Sequence, residues 1–255
     1  NHGRPLSLCF AQNLVQTVGA LAQAADETWT YLPPEPPVPV KTVAIGLDGT
    51  CMFIAEDGWR QAMVGTIALY DRNGERLHTT YIGAGPEMGR ETFLRRLERA
   101  VQLAKQQHPR ALKVGLADGA ASNWEFLEKH TDMQVLDFYH ASEHLGKAAE
   151  AIFPDNQEER EKWMETWCHR LKHEQTGPRS VVREMSLRKN RMDAKDDRRK
   201  VVEGTIQYFR NNLHRMPYAL NVDCHRPIGS GVTEAACKVI IKQRLGCSGM
   251  RWKKE

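Results

Sequence analysis

Three aspartates each follow a short apolar run of strand length. Asp48 ends residues 42–48 (TVAIGLD), Asp118 follows 112–117 (LKVGLA), and Asp137 follows 133–136 (MQVL). A carboxylate at the end of a buried strand costs free energy unless something neutralises it. Adjacent parallel strands of an α/β sheet bring their carboxyl ends to one place. If the strands carrying Asp48 and Asp118 are neighbours, like charges meet and need a cation. Hard carboxylate oxygens suit Mg²⁺ or Mn²⁺, and a pair of such ions is a setting for phosphodiester chemistry. A local reading competes: Asp48-Gly49 and Asp118-Gly119 also fit turns, which Asx residues start.

A fourth acid, Glu234, falls in the first turn expected of a last helix over residues 232–245, where the helix dipole favours a carboxylate. Lys238 and Lys242 follow at i+4 and i+8 on the same face. A helix crossing a phosphate backbone beside a metal site would show such a row; Glu/Lys pairing on a solvated face is the plainer account. Ala235, Ala236, Val239 and Ile240 on the other face are apolar, so this helix packs on something. Ser230 or Thr233 is placed to cap it. Separately, His140-Ala-Ser-Glu143-His144 is H-x-x-E-H, a zinc-peptidase pattern in which two histidines hold the metal and the glutamate is the base. That pattern explains neither Asp48 nor Asp118. Cys168-His169 with His173 offers zinc ligands at helical spacing but lacks a second pair.

The chain that must position these groups has 255 residues and a net charge of +4, with 41% hydrophobic and 27% charged residues. Collagen-like and strongly disordered classes are excluded, and no apolar run approaches the ~18 residues of a membrane helix. It begins at Asn1 and stops on a charged run, so it reads as a fragment of a longer protein. The charge is uneven. Residues 238–255 hold six Lys/Arg against one acid, and residues 179–200 hold nine against four, a pattern that suits a polyanion partner. The six cysteines form no C-x-x-C pair and suit a reduced protein with buried thiols.

Hydrophobic periodicity predicts a helix over residues 5–25, and the prolines of 32–40 make an extended linker. After the strand 42–48, residues 61–71 and 75–84 flank Asn73-Gly74, a strong hairpin signal. A helix over 88–107, a strand, a helix over 123–130, a strand, and a helix over about 140–153 complete a β-β-β-α-β-α-β-α order. Residues 155–215 read as wholly helical and charged, with Trp163 and Trp167 better explained as core than as base-stacking groups. The divisions are 1–31 (N-terminal helical segment), 32–40 (linker), 41–154 (first part of the core), 155–226 (helical insertion) and 227–255 (last helix and basic tail).

Several strings resemble the bacterial insertion-sequence transposases of the ISKra group, in the DDE (RNase H-like) superfamily: IGLDGTCM (45–52), GWRQAMVGTIALYD (58–71), GLADGA (115–120), NWEFLEKHTD (123–132), VLDFYHASEHL (135–145), CHRLKHE (168–174), IGSGVTEAACKVIIKQRL (228–245) and SGMRW (248–252). The resemblance implies an α/β fold: an RNase H-like mixed five-stranded sheet flanked by helices, interrupted by an all-helical insertion before the last catalytic helix. It implies metal-dependent DNA cleavage and strand transfer during transposition of an insertion sequence. Asp48, Asp118 and Glu234 would be the catalytic acids holding two Mg²⁺ (or Mn²⁺) ions, with Asp48 bridging them. Asp137 rivals Asp118 as the second acid; Asp118 is preferred because the second acid of RNase H-like enzymes follows the fourth strand. The Asp137-Phe-Tyr-His140 string resembles the C/D-x-x-H motif of Mutator-like transposases, which makes Asp137 and His140 supporting residues. Lys238, Lys242, Arg244, Arg251, Lys253 and Lys254 would contact DNA phosphates. The implied partners are element ends, target DNA and further copies of the chain in a homodimer or higher oligomer. The resemblance implies no membrane, no small-molecule cofactor and a cytoplasmic, nucleoid-associated location in a bacterium. The helical insertion would contact DNA or a second subunit. The other readings are a transposase-derived DNA-binding protein that no longer cuts and, more remotely, a zinc peptidase at His140, Glu143 and His144.

Overall fold

The computed structural model describes residues 7–26, 30–246 and 252–253. The chain divides into two compact units, Asn1–Glu35 and Pro36–Glu255. The first carries one helix, α1 (Leu8–Asp26), on which Leu14, Val18 and Leu21 are exposed.

The second unit is an α/β structure around a mixed sheet. Its long first strand, β1 (Thr42–Ala55), pairs antiparallel with β2 (Gly58–Tyr70), which pairs antiparallel with β3 (Arg76–Ala84). On its other side β1 runs parallel to β4 (Leu112–Ala117), and β4 parallel to β5 (Met133–Leu136). The order is β3-β2-β1-β4-β5, with a two-residue strand, β6 (Trp252–Lys253), pairing at the far end of β1. The β2–β3 turn forms where Asn73-Gly74 predicts it. The Asp71 carboxylate closes that turn by accepting from the backbone N–H groups of Asn73 and Glu75, both at 2.8 Å.

One expectation is corrected here. The first strand does not stop at Asp48: it leaves β4 after Gly46 but stays paired with β2 as far as Ile54. Asp48-Gly49 therefore lies inside a ladder, opposite Val64 and Met63, and is no turn. Beyond the acid, the strand buries Thr50, Met52 and Ile54 and exposes Cys51 and Phe53, the period-2 pattern of a half-covered strand. Its reversal carries no Asn-Gly. Glu56 takes the left-handed conformation instead, at φ 72°.

The two faces of the sheet are covered by different helices. On one lie α2 (Gly89–Gln107) and α3 (Ala121–His130), which bury Phe93, Leu97, Val101 and Leu127. On the other lies the last helix, α9 (Gly231–Ala236), which continues through π-helical turns at Cys237–Lys242 into α10 (Gln243–Leu245). Its apolar side forms a small core of its own, in which Ala236, Cys237 and Ile241 meet Met52, Ala62 and Val64. Between β5 and the last helix run α4 (Phe138–Ile152), α5 (Gln157–His173), α6 (Gly177–Asn190), α7 (Asp197–Asn212) and the short α8 (Tyr218–Asp223). The α7 helix packs along α4, and α6 packs against both α5 and α7. Trp163 is buried in this layer, and Trp167 packs partly buried beside it with ring centroids 6.2 Å apart, as core residues do.

The thiols depart from the expectation of burial. Cys9, Cys51 and Cys224 are exposed, Cys168 is half-buried and only Cys237 is buried among the described cysteines. Cys51 sits on the open face of a strand and Cys224 just past a helix end, so apolar neighbours in sequence did not mean cover in space. No helix among the described residues is long and apolar enough to cross a membrane.

The last helix reaches the sheet because Gly46 lacks a side chain. The Thr66 and Thr233 hydroxyls hydrogen-bond at 2.7 Å beneath it, and a Cβ on Gly46 would lie 2.2 Å from Thr233 Oγ1. Gly46→Ala therefore overpacks this contact and lowers the unfolding free energy by about 1–3 kcal/mol. The check is a urea titration, in which an unchanged midpoint would show that the helix can slide off Gly46 at no cost.

Candidate active site

Register brings the acids level with one another. The last parallel pair of β1 and β4 is Gly46–Leu116, so Asp48 and Asp118 each come two residues later. The last pair of β4 and β5 is Ala117–Leu136, and Asp118 and Asp137 each follow by one. Asp48 shares a strand face with Gly46, the face on which the last helix lies, and the Cys237 Sγ–H of that helix reaches Asp48 Oδ2 at 3.6 Å. Asp48, Asp118 and Glu234 line a single cavity of about 180 Å³, together with Tyr139, His140, Glu143 and Ser230.

Electrostatics within this cavity are unfavourable to the Asp48 anion. Burial pushes the Asp48 carboxyl above the usual carboxylate range, and the nearby Asp118 charge pushes it the same way. The Gly49 N–H at 2.6 Å, the Cys237 thiol and the charge of His140 oppose that shift. The Cys237 thiol is itself pushed up to about 12, by burial first and then by Asp48. No ion pair among the described residues takes in Asp48, Asp118, Asp137 or Glu234.

Asp137 plays a different part. It is fully buried and does not line the cavity. As the N-cap of α4 it accepts from the His140 backbone N–H at 2.7 Å through Oδ1, and its Oδ2 accepts from the backbone N–H of Ser230. The Phe138 N–H adds a bond to the Ile228 carbonyl at 2.9 Å. The carboxylate thus binds the start of α4, which carries His140, to the segment leading into Glu234. The geometry makes Asp137 a brace and leaves Asp118 facing the cavity.

Glu234 is exposed, and its Oε1 accepts from Ser230 Oγ–H at 2.8 Å. Ser230 occupies the N-cap position, but its hydroxyl is directed to the glutamate and makes no cap hydrogen bond. A wider groove of about 730 Å³ adjoins the cavity and shares Asp48 and Glu234 with it; Lys238 and Lys242 line this groove. Both lysines are exposed on the same side of the helix as Glu234, as their spacing predicts. Arg244 is also exposed, and its guanidinium donates back to the Val239 carbonyl. Arg251, Lys254 and the side chain of Lys253 lie outside the described residues.

Other residues at the site carried no sequence signal. Tyr208, from α7 of the helical insertion, donates to the Asp118 carbonyl at 3.1 Å and stacks on His144 with ring centroids 3.8 Å apart. Burial and the neighbouring carboxylates Asp118, Asp137 and Glu143 keep its phenol protonated. Asn123 donates to the Leu47 carbonyl at 3.3 Å, next to Asp48, and accepts from Arg90 at 3.0 Å. The stacking that engages His144 also bears on the H-x-x-E-H pattern: the His140 and His144 centroids are 6.4 Å apart, and burial lowers the pKa of His144.

No family model, curated protein or solved structure matches this chain.

The donor type, though not its present arrangement, suits a divalent cation. Three hard carboxylates line one cavity, and burial makes one of them costly to ionise, which is chemistry suited to Mg²⁺ or Mn²⁺. Among the described residues no group of three or more His, Cys, Asp or Glu side chains stands close enough to hold an ion. Each acid is instead turned to a protein donor: Asp48 to Gly49, Asp118 to the Ala120 N–H at 3.1 Å, and Glu234 to Ser230.

Two measurements separate these roles. Asp137→Asn leaves one buried backbone N–H without an acceptor and lowers stability by about 1–3 kcal/mol, whereas Asp118→Asn removes a like charge from beside Asp48 and does not lower it; equal urea midpoints for the two variants would refute the assignment. The second concerns pH. The folded-state pKa of Asp48 is raised, so the penalty for ionising it is fully present above that pKa and disappears as pH falls toward the unfolded value. In a chelator, Asp48→Asn therefore has the higher Tm near neutral pH, and the gap closes on acidification; a constant gap would mean that the carboxylate charge is not its source.

Proposed function

We propose that this chain is the catalytic part of a DDE transposase with an RNase H-like fold, which cuts DNA and transfers strands with divalent metal ions. The observation that carries the reading is that Asp48, Asp118 and Glu234 line one cavity beside a groove bearing Lys238 and Lys242. The strand order and the level register of the acids at β1 and β4 support it. So do the sequence strings that resemble the ISKra group.

Asp48, Asp118 and Glu234 would hold two Mg²⁺ or Mn²⁺ ions, which supply Lewis acidity at a phosphodiester and a deprotonated water or 3′-hydroxyl as nucleophile. The chain's own groups supply position and field. Asp137 fixes the start of α4 and the entry to α9 relative to each other. The Asn123 amide holds the β1 backbone at Leu47, one residue before Asp48. Lys238 and Lys242 neutralise backbone phosphates along the groove, a contribution that weakens with salt. DNA and further copies of this chain are the partners on this reading.

The test is cleavage and joining of a labelled DNA duplex with Mg²⁺ or Mn²⁺. Wild type is expected to give nicks ending in 3′-hydroxyls and joined products. Asp118→Asn and Glu234→Gln are expected to lose more than about 100-fold in rate, beyond the cost of losing an outer-shell partner. Full activity of Asp118→Asn would overturn the triad. DNA binding with no cleavage under either metal would replace the reading with that of a DNA-binding protein that does not cut.

A further inference from the structure

We propose that Tyr139 is a stacking platform for an unpaired nucleobase next to the phosphate handled by the acidic cavity, an inference that rests on the DNA-cutting reading and extends it. Tyr139 lines the cavity with Asp48, Asp118 and Glu234, yet its side chain is left 64% exposed. An exposed aromatic at the mouth of a charged site is unusual cover for polar chemistry, and it becomes useful when a flat apolar partner lies on it.

The ring is also held in place. Tyr139 is the second residue of α4, in the turn fixed by the Asp137 carboxylate. One side of the ring rests on the chain at Gly229: a Cβ built there would lie 3.1 Å from both Cδ2 and Cε2. Phe138 meets it nearly edge-on, with centroids 5.9 Å apart at 75°. The ring is thus backed by protein yet keeps a large open surface, and a rigid platform loses little freedom when a ligand covers it.

The surroundings define the ligand. The cavity offers carboxylates that can take a phosphate only through divalent cations, and the adjoining groove offers Lys238 and Lys242 for further phosphates. A nucleic-acid strand alternates phosphates with π faces, and aromatic side chains in such grooves stack on bases with little regard to sequence. In a duplex the base faces are covered by their neighbours. The partner of Tyr139 is therefore a base that is unpaired and turned out, or already single-stranded.

The experiment uses the full chain with an oligothymidylate carrying one 2-aminopurine, and Ca²⁺ in place of Mg²⁺ so that the strand is not cut. Wild type is expected to quench the 2-aminopurine on binding. Tyr139→Ala removes the quenching and weakens single-strand binding by about 5- to 150-fold, while Tyr139→Trp and Tyr139→Phe retain the quenching. Because the side chain is exposed, the Ala variant should keep the wild-type Tm, which separates lost stacking from lost folding. If Tyr139→Ala binds and quenches like wild type while wild type cuts DNA with Mg²⁺, this inference falls and the functional reading stands. Equal weakening toward single strands and blunt duplex also overturns it. If wild type neither binds nor cuts any DNA, both fall together.

Discussion

The candidate site depends on one buried carboxylate. Asp137 has no solvent contact, and its oxygens accept from the backbone N–H groups of His140 and Ser230, residues 90 positions apart in the chain. An isolated buried carboxylate is costly, but one satisfied by two oriented N–H donors is tolerable and directional. The helix bearing Tyr139, His140 and Glu143 and the segment leading to Glu234 are thereby fixed to a common point at the end of β5.

Around this brace the sheet sets a conflict that the proposed chemistry would resolve. Parallel register brings Asp48 level with Asp118, and partial burial withholds the water that would screen them. The protein meets part of the cost with backbone N–H groups, the Cys237 thiol and Ser230 Oγ. No side-chain cation pairs with these acids among the described residues, although Lys238 and Lys242 stand along the adjoining groove. The helical insertion contributes at close range: Tyr208 of α7 reaches the Asp118 carbonyl and stacks on His144 of α4, so the insertion supports the backbone that carries Asp118.

Much of this was legible in the sequence, for identifiable reasons. Apolar runs ending in Asp marked the ends of β4 and β5, and their level placement follows from parallel pairing. The i, i+4, i+8 spacing of Glu234, Lys238 and Lys242 put them on one helix face, as found. The Asn73-Gly74 turn was plain. What was not legible is equally specific. Asp48-Gly49 looks like a turn because local preference takes no account of a partner strand; the ladder with β2 carries the chain through to Ile54. The separate fates of Asp118 and Asp137 depend on a backbone N–H at Ser230, distant in sequence. Tyr208 and Asn123 act through contacts with backbone carbonyls, which leave no residue pattern to read.

The π-helical turns at Cys237–Lys242 have a geometric consequence of their own. A wider turn takes up more residues than an α-turn, so it resets the angular phase of everything after it. Cys237 and Lys242, five residues apart, are brought nearer in phase, so that Cys237 reaches Asp48 while both border the groove that Glu234 lines. The helix therefore acts as a vernier between two scales: one set by the packing of the sheet, the other by the row of charged side chains that it presents to the groove.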